Sequence, residues 1–282
     1  MLVPESSSKA SPCLPAPYGT LYGLGVGPGD PELITVKALK RLQASPVVAF
    51  PAGLNGKTGV AERIIEPWLR PEQVRLPLTF PYVLDEQQLS AAWQKAAQTV
   101  LPYLKTGDVA FACEGDVSFY GTFTYLAQAV QTLNRTVTVS AIAGISSPMA
   151  AAAAARIPLT CQSDKLAIVP ALYSFNRSQP AAAQPAAAQL SAAQSSGDVP
   201  STPNALETAL SWADVVVLMK VSSVYPQVWD ILQRHGLLER SIVIENATRT
   251  EEKVFAGLQN HPKLQLPYFS LLIVQRADCT IV

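Results

Sequence analysis

Gly25, Gly27 and Gly29 recur at every second position from the end of the apolar run "LYGLGV" onward, with Pro28 between the last two and Asp30 closing the turn. A glycine-rich turn between a strand and a helix can let backbone N–H groups meet a phosphate at the helix N-terminus. The spacing fits that use poorly, because a dinucleotide turn requires G-x-G-x-x-G. Pro28 removes one donor, and Asp30 puts a carboxylate where phosphate charge would sit. No Gly-Lys-Ser/Thr follows, so a P-loop fails too. A plain alternative stays open: the glycines only permit a tight turn.

Two further turns carry polar groups. "CEGDVSFYGTFTYL" places Glu114, Gly115 and Asp116 at a strand end, where carboxylates suit hydroxyls, amines or a cation better than phosphate. "AGISSPMAAAAAA" offers Ser146 and Ser147 at a helix start. Helix capping is the competing role for Asp116, for both serines and for Asp30. Metal chemistry has little support. Cys13, Cys113, Cys161 and Cys279 are far apart, with neither paired ligand spacing nor a disulfide framework, and His235 and His261 are the only histidines.

Positioning these residues requires alternating strands and helices. Strands are expected at 19–26, 45–53 and 108–116, and helices at 30–42, 86–107 and 118–133. The first helix is read with Asp30 as N-cap and with Leu33, Val36, Leu39 and Leu42 on its buried face. Residues 136–159 repeat strand, glycine turn and helix, giving an α/β domain with a mostly parallel sheet. Residues 1–17 form a flexible tail, and 18–160 the N-terminal α/β domain. Residues 161–282 form a smaller C-terminal α/β domain, with a cleft between the two as the ligand site. It contains a low-complexity Ala, Gln, Ser and Pro insertion at 176–204, which lacks the apolar side chains to offset its ordering entropy. After it, 205–248 alternates helix and strand, and 268–276 is a closing strand.

With 21 basic and 21 acidic side chains, no net field recruits nucleic acid or an anionic membrane. The N-terminus lacks a secretory pattern and no apolar stretch is long enough to span a bilayer, so a cytoplasmic chain acting on a small ligand is expected.

The ordered blocks "GLGVGPGDPELITVKAL", "CEGDVSFYGTF", "AIAGISSPMAAAA", "VVLMK" and "IENATRTEEKV" resemble the tetrapyrrole methylases, which move a methyl group from S-adenosylmethionine to cobalamin or sirohaem precursors. Within the family, "VGPGDPELITVKALK" with "GDVSFYGTFTYL" is most similar to the precorrin-2 carbon-20 methyltransferases of cobalamin synthesis. The resemblance implies two α/β domains with the donor between them, a homodimer, and precorrin-2 or cobalt-precorrin-2 as substrate. It implies donor contacts from Pro28, Glu114, Gly115, Asp116, Phe119, Ser146, Ser147, Met219 and Ala247. For Met219, core filling is the competing role. The chain departs from the uroporphyrinogen methylases at Phe50 and Pro51, where those enzymes carry an Asp, and Val117 replaces the Pro common after Gly-Asp.

A sulfonium methyl is already activated, so the protein's task is orientation and exclusion of water, with no protein-bound metal and no nucleophilic side chain. Asp30 is the candidate base for proton loss at the methylated carbon. Arg249, Lys253, Lys220 and Arg156 are available for the substrate's carboxylates, against a solvated surface role for each. The alternatives are a methylase acting at another carbon or on a protein in diphthamide synthesis, a non-catalytic binding module, and a nicotinamide-dependent dehydrogenase.

Overall fold

Apolar runs punctuated by glycine turns alternate with amphipathic helices. In the computed structural model, which describes residues 18–53, 57–81, 85–175 and 204–276, they fold into two units. One unit comprises residues up to Gly27 together with Pro31–Gly144; the other comprises Pro28–Asp30 and the residues from Ile145 on. The tail expected at 1–17, and the insertion apart from Asn204, lie outside the described residues. Asn204 itself caps a helix, accepting from the Glu207 amide at 2.8 Å.

The first unit runs β1 (Thr20–Gly25), α1 (Val36–Ala44), β2 (Val47–Pro51), α2 (Val60–Ile65), β3 (Val74–Leu78), α3 (Glu86–Leu104), β4 (Val109–Cys113), α4 (Phe123–Leu133) and β5 (Thr138–Ile142). Its sheet has the order β3-β2-β4-β1-β5 with every pairing parallel. Leu104 and Val100 of α3 and Leu126 and Val130 of α4 bury against Leu21, Val109 and Phe111. Each such side chain contributes roughly 1.5–3 kcal/mol. α2 and β3 have no counterpart in the sequence reading.

The start of α1 differs from expectation. A short 3-10 turn, Pro31–Leu33, precedes the helix, and Thr35 rather than Asp30 is its N-cap, accepting from the Ala38 amide at 3.2 Å. That phase buries Ala38 and Leu42 but leaves Val36 68% exposed. Thr35→Ala should therefore lower stability by about 1 kcal/mol in urea unfolding, while Asp30→Ala should leave α1 capped.

The second unit runs α5 (Ser147–Ala154), β6 (Leu166–Pro170), α6 (Ala171–Phe175), α7 (Ala205–Trp212), β7 (Val215–Met219), α8 (Tyr225–Arg234), β8 (Ser241–Glu245), β9 (Lys253–Ala256) and β10 (Ser270–Gln275). Its sheet has the order β6-β7-β10-β8-β9; only β6 and β7 pair in parallel, and the other three pairings are antiparallel. Alternation along β7 serves both faces: Val216 and Leu218 join α7 and α8, while Val215 and Val217 join Ala151 and Ala152 of α5. That packing puts α5 in the second unit, so the division falls at Gly144 and Ile145 instead of 160 and 161.

Candidate active site

In the first unit the glycine turns follow three neighbouring parallel strands, β4, β1 and β5, and meet backbone to backbone. The Gly27 amide donates to the Gly115 carbonyl at 3.2 Å and the Gly115 amide returns to Gly27 at 2.7 Å. A Cβ on Gly25 would lie 2.5 Å from the Gly144 nitrogen, and one on Gly144 would lie 2.3 Å from the Gly115 oxygen. Close approach is thus what these glycines supply.

The first turn cannot cradle a phosphate. The amides of Val26 and Gly27 donate to Cys113 and Gly115, that of Asp30 donates to the Thr248 hydroxyl at 3.1 Å, and Pro28 has none. The next α-helix does not begin until Val36. These observations remove the dehydrogenase alternative.

Asp116 holds this turn cluster together. One carboxylate oxygen accepts from the Gly144 amide at 2.8 Å; the other accepts from the Ser118 amide at 2.9 Å and from the Ser118 hydroxyl. Partial burial pushes its pKa up, but the bonds from the Ser118 hydroxyl and the Gly144 and Ser118 amides outweigh it, leaving the carboxyl below its ordinary value. Glu114 is half-buried beside it, and Phe119 packs edge-on against Tyr120, ring centroids 4.9 Å apart.

In the second unit Ser146 occupies the N-cap position of α5, yet its hydroxyl bonds to the Met149 sulfur at 2.8 Å and makes no cap bond. Ser147 begins the helix. Met219, half-buried at the end of β7, and Ala247, 7% exposed after β8, share one apolar cluster with α5. Pro28 and Asp30 lie against the segment after Ala247: the Arg249 guanidinium donates to the Pro28 carbonyl at 3.4 Å and stacks 4.1 Å over the Phe269 ring. A Cβ on Gly29 would lie 2.5 Å from Arg249 Cγ and 3.1 Å from the Ala247 oxygen.

The structure therefore gathers Glu114, Gly115, Asp116 and Phe119 in one turn, and Pro28, Asp30 and Ala247 in another set of contacts. The sequence reading did not single out Thr248 as a partner of Asp30, although it lies within the quoted "IENATRTEEKV" block. Of the basic side chains, Arg249 serves the first turn, Lys220 lies 5.2 Å from the Tyr173 ring, Lys253 is the cross-strand neighbour of Glu245, and Arg156 is exposed. Cys113 is a buried free thiol. Among the described residues no three His, Cys, Asp or Glu side chains are grouped to hold a metal, and no helix is long and apolar enough to cross a membrane.

A family model of the tetrapyrrole (corrin/porphyrin) methylases matches residues 20–260, a span containing every donor contact expected from the sequence. The chain belongs to this family. Among its methylase relatives, the precorrin-2 C(20)-methyltransferase of Sinorhizobium sp is 30% identical over 265 residues, covering 91% of this chain and 95% of that one. Cobalamin biosynthesis protein CobIJ of Mycobacterium bovis is 29% identical over 91% of this chain, which spans only 46% of that longer protein. The crystal structure of the Thermus thermophilus uroporphyrin-III C-methyl transferase with S-adenyl homocysteine shares the fold, with a TM-score of 0.59 at 19% identity over 91% of this chain and 92% of that one.

Proposed function

We propose that this methylase transfers a methyl group from S-adenosylmethionine to carbon 20 of precorrin-2, or of its cobalt complex, in cobalamin synthesis. The observation that carries the reading is the nearly end-to-end likeness to the Sinorhizobium enzyme of that name. Proposed donor contacts are Pro28, Glu114, Gly115, Asp116, Phe119, Ser146, Ser147, Met219 and Ala247. They fit a cationic donor: two are carboxylates and none is basic.

The donor supplies an activated methyl on a positively charged sulfur. Carbon 20 attacks that methyl, the new C–C bond forms as the C–S bond breaks, and the electron pair leaves with sulfur. The chain's residues hold the reacting atoms nearly in line and keep water out. Asp30 would take the proton released from carbon 20. The carbons of a reduced tetrapyrrole are nucleophilic enough that this route calls for no protein-bound metal. A homodimer completes the proposal, and sedimentation velocity tests it.

The deciding experiment is anaerobic incubation of the purified protein with S-adenosylmethionine and precorrin-2, with and without inserted cobalt, read by mass spectrometry. One added methyl on one of the two substrates is expected, and NMR then locates it. Donor binding without methylation of either would overturn the assignment in favour of another carbon or a binding module.

A further inference from the structure

We propose that Thr248 is a positioning residue for the first glycine turn, its hydroxyl setting where Pro28–Asp30 lie and hence where Pro28 meets the donor. The inference rests on the methyl-transfer reading above. Thr248 has φ 68°, in the left-handed region that β-branched residues avoid, and Asn246 two residues earlier has φ 48°. A position selected for stability alone would hold Gly there, or Asn. Backbone strain of this kind persists where the surroundings enforce it and function uses it.

The surroundings do enforce it. The Thr248 amide donates to the Glu252 carboxylate at 2.6 Å, and the Arg249 amide donates to the Asn246 carbonyl at 2.9 Å. The Asn246 amide donates to Phe269 at 2.8 Å, fastening the loop to the strand that follows it. The strained backbone aims the Thr248 hydroxyl at the Asp30 amide, which donates to it at 3.1 Å. Gly29 has no room for a side chain against the same loop, where a Cβ would sit 2.9 Å from the Thr248 hydroxyl oxygen. The three-residue turn is therefore gripped at Pro28, Gly29 and Asp30 in succession, and the grip at Asp30 is a hydrogen bond to the Thr248 hydroxyl.

Thr248→Gly separates strain from function. It relieves the backbone and removes the hydroxyl, so the midpoint of thermal unfolding should hold or rise. The turnover number should fall about 10- to 100-fold, as for a displaced reacting group, with KM for the donor changed less. Thr248→Ser, which keeps the hydroxyl, should restore turnover to within about threefold of the parent. Hydrogen exchange at the Asp30 amide should quicken in Thr248→Gly and Thr248→Val and stay at the parental rate in Thr248→Ser. Parental turnover in Thr248→Gly would overturn the proposal, as would unchanged exchange at Asp30 or a large drop in thermal midpoint. If the parent protein methylates neither substrate, the function assignment fails, and the exchange measurement judges the tether by itself.

Discussion

Gly144→Ala is expected to lower stability by about 3 kcal/mol or more, a large share of the roughly 5–15 kcal/mol that holds a domain folded. The added methyl would sit 2.3 Å from the Gly115 oxygen and 2.6 Å from both the carbonyl carbon and oxygen of Gly25. All three are backbone atoms of turns anchored to adjacent strands, so no rotamer change relieves the clash. Gly25→Ala should behave alike, and because both substitutions crowd the same contact, the double variant should lose less than the sum. Gly236→Ala is the control. Its φ of 65° is strained for Ala, but nothing lies within 4 Å of the new Cβ, so only the backbone cost of about 1–2 kcal/mol applies. Urea unfolding of the three variants gives the comparison; equal losses for Gly144 and Gly236 would contradict the close packing of the turns.

Asp116→Ala is expected to weaken S-adenosylmethionine binding on the order of 100-fold, while unfolding stays cooperative. Hydrogen bonds to a charged group are worth about 1.5–3 kcal/mol, and about 1.4 kcal/mol is a factor of ten. The carboxylate is engaged with Gly144 and Ser118, so its removal loosens two turns at once and withdraws a charge from the proposed donor site. Calorimetric titration measures the affinity, and an unchanged value would remove Asp116 from the binding machinery. Acid gives a separate test. Because the folded carboxyl titrates below its ordinary value, its stabilising contribution is complete above the unfolded pKa of about 4 and is lost as pH falls through the lower folded value. The stability gap between the parent and Asp116→Asn should therefore narrow below about pH 4, and a gap independent of pH would count against the charge.

The parallel first sheet was legible because a glycine or a polar turn closes each of β1, β4 and β5, and α3 and α4 carry clear apolar faces. α2 is too short to show a period, and β3 contains Pro77 and sits at an edge, so neither left a readable pattern. Asp30-Pro31 has the local form of a helix start, but Asp30 is drawn to Thr248, 218 residues away, and the helix begins later, at Val36, capped by Thr35. The alanines of α5 present little contrast between faces, so nothing in them says which sheet they cover; contact with Val215, Val217 and Ile273 decides it. At the site, residue types were readable from the motif blocks. The engagement of Asp116 by Gly144 and of Asp30 by Thr248 was not, because both depend on long-range backbone geometry.

The two sheets also differ in when they can be completed during synthesis. In the first, the internal strand β1 emerges before its neighbours β4 and β5, and the sheet has all its strands once Ile142 has left the ribosome. In the second, β10 lies between β7 and β8 yet is the last of the sheet's strands to emerge. Until residues 270–275 appear, β7 and β8 each expose an unpaired edge, the form of backbone that invites mispairing. Asp30, translated early, must likewise wait for Thr248. A nascent chain stalled after β9 would therefore carry a finished first sheet beside an open second one, and would be the species most exposed to chaperones and proteases.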